Sequence, residues 1–155
     1  MDPIKIGQEA PSFTLKDHLG TEHSLPSLRG RRVLLSFHPL AWTGVCQRQM
    51  EALEMNADRW EQLNVSAFGV SVDSAPCKKA WAQSIHVEKT PLLADFWPHG
   101  GLARALGLFR EQEGFSERAN VLIDENGMVR WIKIYPLPEA PDIEELMDAI
   151  RTLES

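Results

Sequence analysis

Val33-Leu34-Leu35-Ser36-Phe37-His38-Pro39-Leu40-Ala41-Trp42-Thr43-Gly44-Val45-Cys46 decides how the chain is read. Val33–Phe37 is a short apolar run of the kind that forms a buried strand. Pro39 and Gly44 then punctuate a turn, and from Cys46 through Leu53 the residues follow a helical pattern. The sequence therefore places one sulfur in the first turn of a helix. The first backbone N–H groups of a helix have no partner within it, and the positive end of its dipole lies there, so a thiolate is favoured over a thiol. Because the thiolate is the nucleophile, the turn reads as a device that activates Cys46.

Composition sets the outer limits. A chain of 155 residues, 43% of them hydrophobic, is long enough to bury one core, and a single domain over 1–155 is expected. A net charge of −6 argues against nucleic acid or an anionic membrane surface as the main partner. No apolar run has the length of a membrane span. Met1-Asp2-Pro3-Ile4-Lys5-Ile6-Gly7-Gln8 lacks the apolar segment of a signal peptide, so a cytoplasmic location is expected. In that compartment two cysteines point to catalysis or redox sensing more than to a structural bridge. The five histidines and two cysteines show no paired spacing for zinc, and no metal or cofactor is expected.

Outward from the opening stretch, strands and helices alternate. Ser12–Lys16 reads as a short strand before a turn at Asp17–Gly20, and one long helix is expected from Gly44 to about Leu63. Ser66–Val72 reads as the next strand. Ser74 is placed to cap a helix over Ala75–Ile85, with Pro76 in its first turn. A Leu92–Ala94 segment, a helix near Gly101–Leu106 and the strands Ala119–Ile123 and Met128–Ile134 follow. The last two flank Asp124-Glu125-Asn126-Gly127, where Asn-Gly supplies the positive φ angles of a hairpin turn. Ile143–Leu153 closes the chain as an amphipathic helix. This order implies an α/β fold with a mixed sheet covered by helices on both faces.

The spacing Pro39-x-x-x-Thr43-x-x-Cys46 resembles the active-site signature of the peroxiredoxins, thiol peroxidases built on the thioredoxin-like fold. The likeness also runs through Gly7–Phe13, Gly69–Asp73 and Glu117-Arg118-Ala119. Pro91–Gly100 resembles the alkyl hydroperoxide reductase E-like branch in particular. The sequence departs from the commoner pattern at His38, where an aromatic is usual, and at Trp42, which replaces a phenylalanine.

The resemblance implies a set of roles. Cys46 attacks a peroxide oxygen and becomes a sulfenic acid. The Thr43 hydroxyl reaches the sulfur and the incoming peroxide, though threonine here also reads as a helix N-cap. The backbone N–H groups of Val45 and Cys46 donate to the developing charge on oxygen. Pro39 covers the site without adding a competing N–H. Arg118 holds the thiolate and polarises the peroxide with its fixed fork of donors, and Gln49 orients Arg118. His38 is read as a packed residue, not an acid or base.

Cys77 decides how the enzyme would be recycled. By resemblance it either resolves the Cys46 sulfenic acid as an intramolecular disulfide or stays an unpaired, half-buried thiol. A disulfide would be returned by thioredoxin or a similar protein, whereas a single-cysteine scheme favours a small thiol or a glutaredoxin-like donor. Trp42 and, less directly, Trp97 suggest a homodimer interface beside the site, with a core position for Trp42 the rival reading. Phe96–His99 is expected in core and interface. A thioredoxin-type oxidoreductase is disfavoured because Cys46 has no Cys-x-x-Cys neighbour. A peroxide sensor or relay would share the chemistry at Cys46.

Overall fold

The structure, a computed structural model, describes residues 2–153. At its centre is a five-stranded sheet built from β3 (Arg32–Phe37), β4 (Val65–Ser71), β5 (Leu92–Ala94), β8 (Arg118–Ile123) and β9 (Val129–Tyr135), in the order β5-β4-β3-β8-β9. β4 runs parallel to β3 and to β5, while β8 is antiparallel to β3 and β9. The sheet is mixed, as the alternating order implied. β1 (Thr14–Lys16) and β2 (Glu22–Ser24) form a separate hairpin, as do β6 (Phe109–Arg110) and β7 (Phe115–Ser116). Strands β2, β6 and β7 are two or three residues long, too short for an alternating pattern to mark them.

β3 is buried along its whole length, and its side chains alternate between two cores. Val33, Leu35 and Phe37 join Phe13, Leu25 and the helix α4 (Gly101–Ala105) on one face. Leu34 faces α1 (Gly44–Met55), α3 (Ala75–Ser84) and α5 (Ile143–Thr152) on the other, where Met50, Trp81 and Met147 pack. With both faces covered, the continuous apolar run of Val33–Leu35 is what a central strand requires.

The single helix expected over Gly44 to Leu63 is two. α1 ends at Met55, and α2 occupies Ala57–Gln62. Asn56 between them leaves helical geometry at ψ 17°, and its side-chain amide donates to Ala52 O at 2.7 Å, competing for a carbonyl the helix would otherwise use. The hairpin forms, but of the Asn-Gly pair only Gly127 takes a positive φ, +83°; Asn126 does not, and the turn is held instead by Asp124 Oδ1 accepting from the N–H groups of Asn126 and Met128. Ser74 caps α3 by accepting from Cys77 N at 3.3 Å.

The height of α1 above the sheet is set by Gly69 in β4. A Cβ there would overlap Met50 Sδ and lie 2.8 Å from Leu92 Cδ2. Gly69→Ala must therefore displace α1 or its neighbours, and it is expected to cost about 1–3 kcal/mol in urea unfolding. Unchanged stability would mean that α1 does not rest on this contact.

Candidate active site

β3 ends at Phe37, and the chain turns through Pro39–Thr43 before α1 begins at Gly44. The turn carries a strained residue: Trp42 sits at φ +68°, a left-handed conformation that bulky side chains rarely adopt. Cys46 is the third residue of α1. Gln47 N–H donates to Thr43 O at 2.9 Å, so the N–H groups of Val45 and Cys46 precede the first bond of the helix and lack helical acceptors.

Arg118 opens β8, next to β3, and the pairing of Phe37 with Ala119 brings its guanidinium under the start of α1. Cys46 and Arg118 are only 1% and 4% exposed. Arg118 Nη1 donates to Cys46 Sγ at 3.3 Å and to Gln49 Oε1 at 2.9 Å. On its other side, Nε and Nη2 both donate to Leu137 O, at 2.9 and 2.7 Å. Gln49 is buried, not solvated, and its amide donates to Ser36 Oγ and Phe37 O at 2.8 and 3.0 Å. The guanidinium is thus clamped between α1 and the loop after β9, with one donor on the sulfur. A fixed positive group in a dry setting stabilises negative charge on that sulfur far more than it would in water.

Pro39 is buried beside the turn and presents no N–H. Thr43 occupies the N-cap position, but the capping bond expected of it is absent. Its side chain donates to Leu40 O at 2.8 Å and so braces the turn instead. His38 is fully buried against Trp81, with ring centroids 5.2 Å apart. Burial above all, with the charges of Lys78 and Arg118, holds its imidazole well below the usual range, against a backbone hydrogen bond with Leu40. Trp42 is 56% exposed, which removes the core position considered for it. Phe96 and Trp97 are likewise exposed, not in the core.

Cys77 is half-buried in the first turn of α3, and both cysteines are free. Its Sγ lies 4.0 Å from Asp73 Oδ1. Sequence reasoning missed Leu137, whose carbonyl fixes Arg118, because a backbone oxygen in a loop leaves no residue-type signal. It also missed Lys78, because a lysine in a helix is ordinarily solvated and nothing in the local sequence marks this one as buried.

A sulfur at a helix N-terminus, bonded by a buried guanidinium above a mixed sheet, is a setting suited to a thiol-based oxidoreductase. Comparisons with known proteins agree. The AhpC/TSA family signature matches residues 6–132. The chain is 36% identical over 154 residues to an alkyl hydroperoxide reductase E of Mycobacterium tuberculosis, covering 97% of this chain and 98% of that one. It is 31% identical over 159 residues to peroxiredoxin-1 of Gallus gallus, covering 96% and 79%. Among solved structures, the reduced 2-Cys peroxiredoxin of Plasmodium vivax superposes with a TM-score of 0.90 at 29% identity, covering 98% of this chain and 83% of that one. The chain belongs to the AhpC/TSA family and is a peroxiredoxin, a thiol-dependent peroxidase. Within that family it falls in the alkyl hydroperoxide reductase E-like branch.

Gln49→Leu would leave Arg118 Nη1 with Cys46 Sγ alone and take from Ser36 Oγ and Phe37 O the amide that donates to them. It is expected to cost about 2 kcal/mol in thermal or urea unfolding and to slow the reaction with peroxide. A variant as stable and as fast as the parent would remove Gln49 from the support of Arg118.

Proposed function

We propose that the chain reduces hydrogen peroxide and organic hydroperoxides through Cys46. The observation that carries this reading is the 3.3 Å bond from Arg118 Nη1 to Cys46 Sγ inside the fold. The sulfur, as thiolate, attacks one peroxide oxygen. The O–O bond breaks, the attacked oxygen stays on sulfur as a sulfenic acid, and the other leaves with its electron pair and takes up a proton to become water or an alcohol. Arg118 and the free N–H groups of Val45 and Cys46 face the oxygens on which charge develops. Thr43 and Pro39 shape the mouth of the site. Gln49 acts through Arg118.

In this reading Cys77 resolves the product. Its thiolate attacks Cys46 sulfur, an S–S bond forms, and the sulfenic oxygen departs as water after protonation. A thioredoxin-like or glutaredoxin-like dithiol then reduces the disulfide, becoming oxidised itself. The placement of Cys77 Sγ toward Asp73 favours a second reading, in which Cys46 is the sole working cysteine and an external thiol resolves it. The exposure of Trp42 and Trp97 supports a homodimer whose interface borders the site.

Stopped-flow tryptophan fluorescence against hydrogen peroxide tests the first step. Cys46→Ser is expected to lose the fast phase entirely, and Arg118→Met to slow it about a hundredfold, as loss of one preorganised charged donor does elsewhere. A fast phase that survives in Cys46→Ser would end the peroxidase reading.

Non-reducing mass spectrometry after one equivalent of peroxide distinguishes the two resolving schemes. The two-cysteine scheme requires a Cys46–Cys77 disulfide that disappears in Cys77→Ser. A persistent Cys46 sulfenic acid beside a free Cys77 thiol would establish the one-cysteine scheme.

A further inference from the structure

Lys78 is the one side chain of α3 that carries a charge into the core behind the active-site turn. It has no exposed surface. Its ammonium donates to Ser71 Oγ at 2.6 Å, and His38 Nε2 lies 3.4 Å away. Ser71 Oγ in turn donates to Asp73 Oδ2 at 2.6 Å, and the same carboxylate oxygen accepts from Ala41 N at 2.8 Å. Every donor in this chain points toward one carboxylate, and the last donor is the backbone of the turn, one residue before strained Trp42. Asp73 is only half-buried, so without a fixed partner its carboxylate could rotate into water. The lysine prevents this. By holding Ser71 as an acceptor, it leaves the serine proton free only for Asp73 and so keeps Oδ2 facing Ala41.

We propose that Lys78 is a positioning residue that, through Ser71 and Asp73, pins the Leu40–Thr43 turn and thereby sets how readily that turn and the start of α1 open to release Cys46. The proposal rests on the peroxidase reading, because a cysteine 1% exposed must be uncovered before Cys77 or an external thiol can reach it. The held turn keeps the sulfur on Arg118 for attack on peroxide, and the opened turn presents it for resolution. A strained residue persists only where its surroundings hold it, so the tether at Ala41 is where that balance is set.

The ammonium carries a pH dependence. Burial pulls Lys78 down to about 7, opposed by the carboxylates of Asp73 and Asp95 and by charge on Cys46 and Cys77. Two neutral-leaning histidines also face it: His38, held well below its usual range, and His18, lowered mainly by burial. The sign differs between global and local unfolding. The unfolded chain binds a proton at Lys78 up to the ordinary lysine range while the folded chain sheds it near 7, so between these values this group makes global stability rise with pH. The turn responds the other way, because loss of the ammonium above 7 releases Ser71 and Asp73 and opening becomes easier.

Amide hydrogen exchange on the reduced protein, without peroxide, reads the opening of residues 40–46. After correction for intrinsic exchange, opening in the parent is expected to rise about tenfold between pH 6 and 8.5. In Lys78→Met it is expected to be about tenfold greater than in the parent at pH 6 and flat across that range. Asp73→Asn, at a half-buried position, is expected to loosen the same segment at pH 6 while α5 stays protected. A pH step that survives in Lys78→Met overturns the proposal, as does loosening that spreads equally to α5. If Lys78→Met does not fold, unchanged exchange in Asp73→Asn overturns it alone. Because no peroxide is present, a parent protein that fails to consume peroxide would sink the peroxidase reading and leave the exchange result to stand by itself.

Discussion

A guanidinium cannot be taken out of water unless its donors are met, and most of this molecule's geometry near the site follows from meeting those of Arg118. Its Nη1 is shared between Cys46 Sγ and Gln49 Oε1, and its Nε and Nη2 converge on Leu137 O. Each partner fixes an element: α1 through Gln49 and Cys46, the loop after β9 through Leu137, and β8 through the backbone of Arg118 itself. Gln49 extends the chain of contacts to Ser36 and Phe37, tying α1 to the end of the central strand. Removing any one partner leaves a buried guanidinium donor less well met, so the contacts support one another.

The sheet makes that unit possible. β3 is central, flanked by a parallel neighbour that leads to α3 and an antiparallel one that begins at Arg118. The ends of β3, β4 and β8 therefore meet at one edge of the sheet, where Phe37 pairs with Val70 on one side and Ala119 on the other. Residues distant in sequence become neighbours there because three strands start or stop at the same level. From one strand end comes the turn with Trp42, from another Ser71 and Asp73, and from the third Arg118.

How much of this could be read from the residues depended on the range of the cause. Val33–Phe37, the Asn-Gly hairpin and the Ser74 cap are local, and periodicity or turn chemistry exposes them directly. The interruption at Asn56 is also local but subtle, since asparagine breaks a helix only when its side chain finds a better use, here Ala52 O. Thr43 has the right type and position for a cap, yet the strained turn beside it offers Leu40 O, and the hydroxyl takes that acceptor. The meeting of Arg118 with Cys46 is invisible to spacing, because it depends on the register of β3 against β8; only likeness to a family suggested it. Lys78 lies beyond both methods, since a lysine in a helix is ordinarily solvated and nothing local marks this one as buried.

If Cys46 is the peroxide-reducing sulfur as proposed, two demands on it account for the polar groups concentrated behind it. Attack on peroxide calls for a sulfur held dry against a cation, and Cys46 has that setting. Transfer of the resulting oxidation to any second thiol calls for the same sulfur to be exposed, and in the folded state it is not. A rigid apolar core would satisfy the first demand and forbid the second. Here the segment before α1 is a turn with one left-handed residue, braced by Thr43 and tethered at Ala41 to a half-buried carboxylate. Those contacts are few and polar, so they are weaker than the packing of Met50 and Leu53 later in α1. In the proposed cycle the strain lies in the part of the fold that would move, while Arg118, Gln49 and the strand ends would stay in place to receive the sulfur.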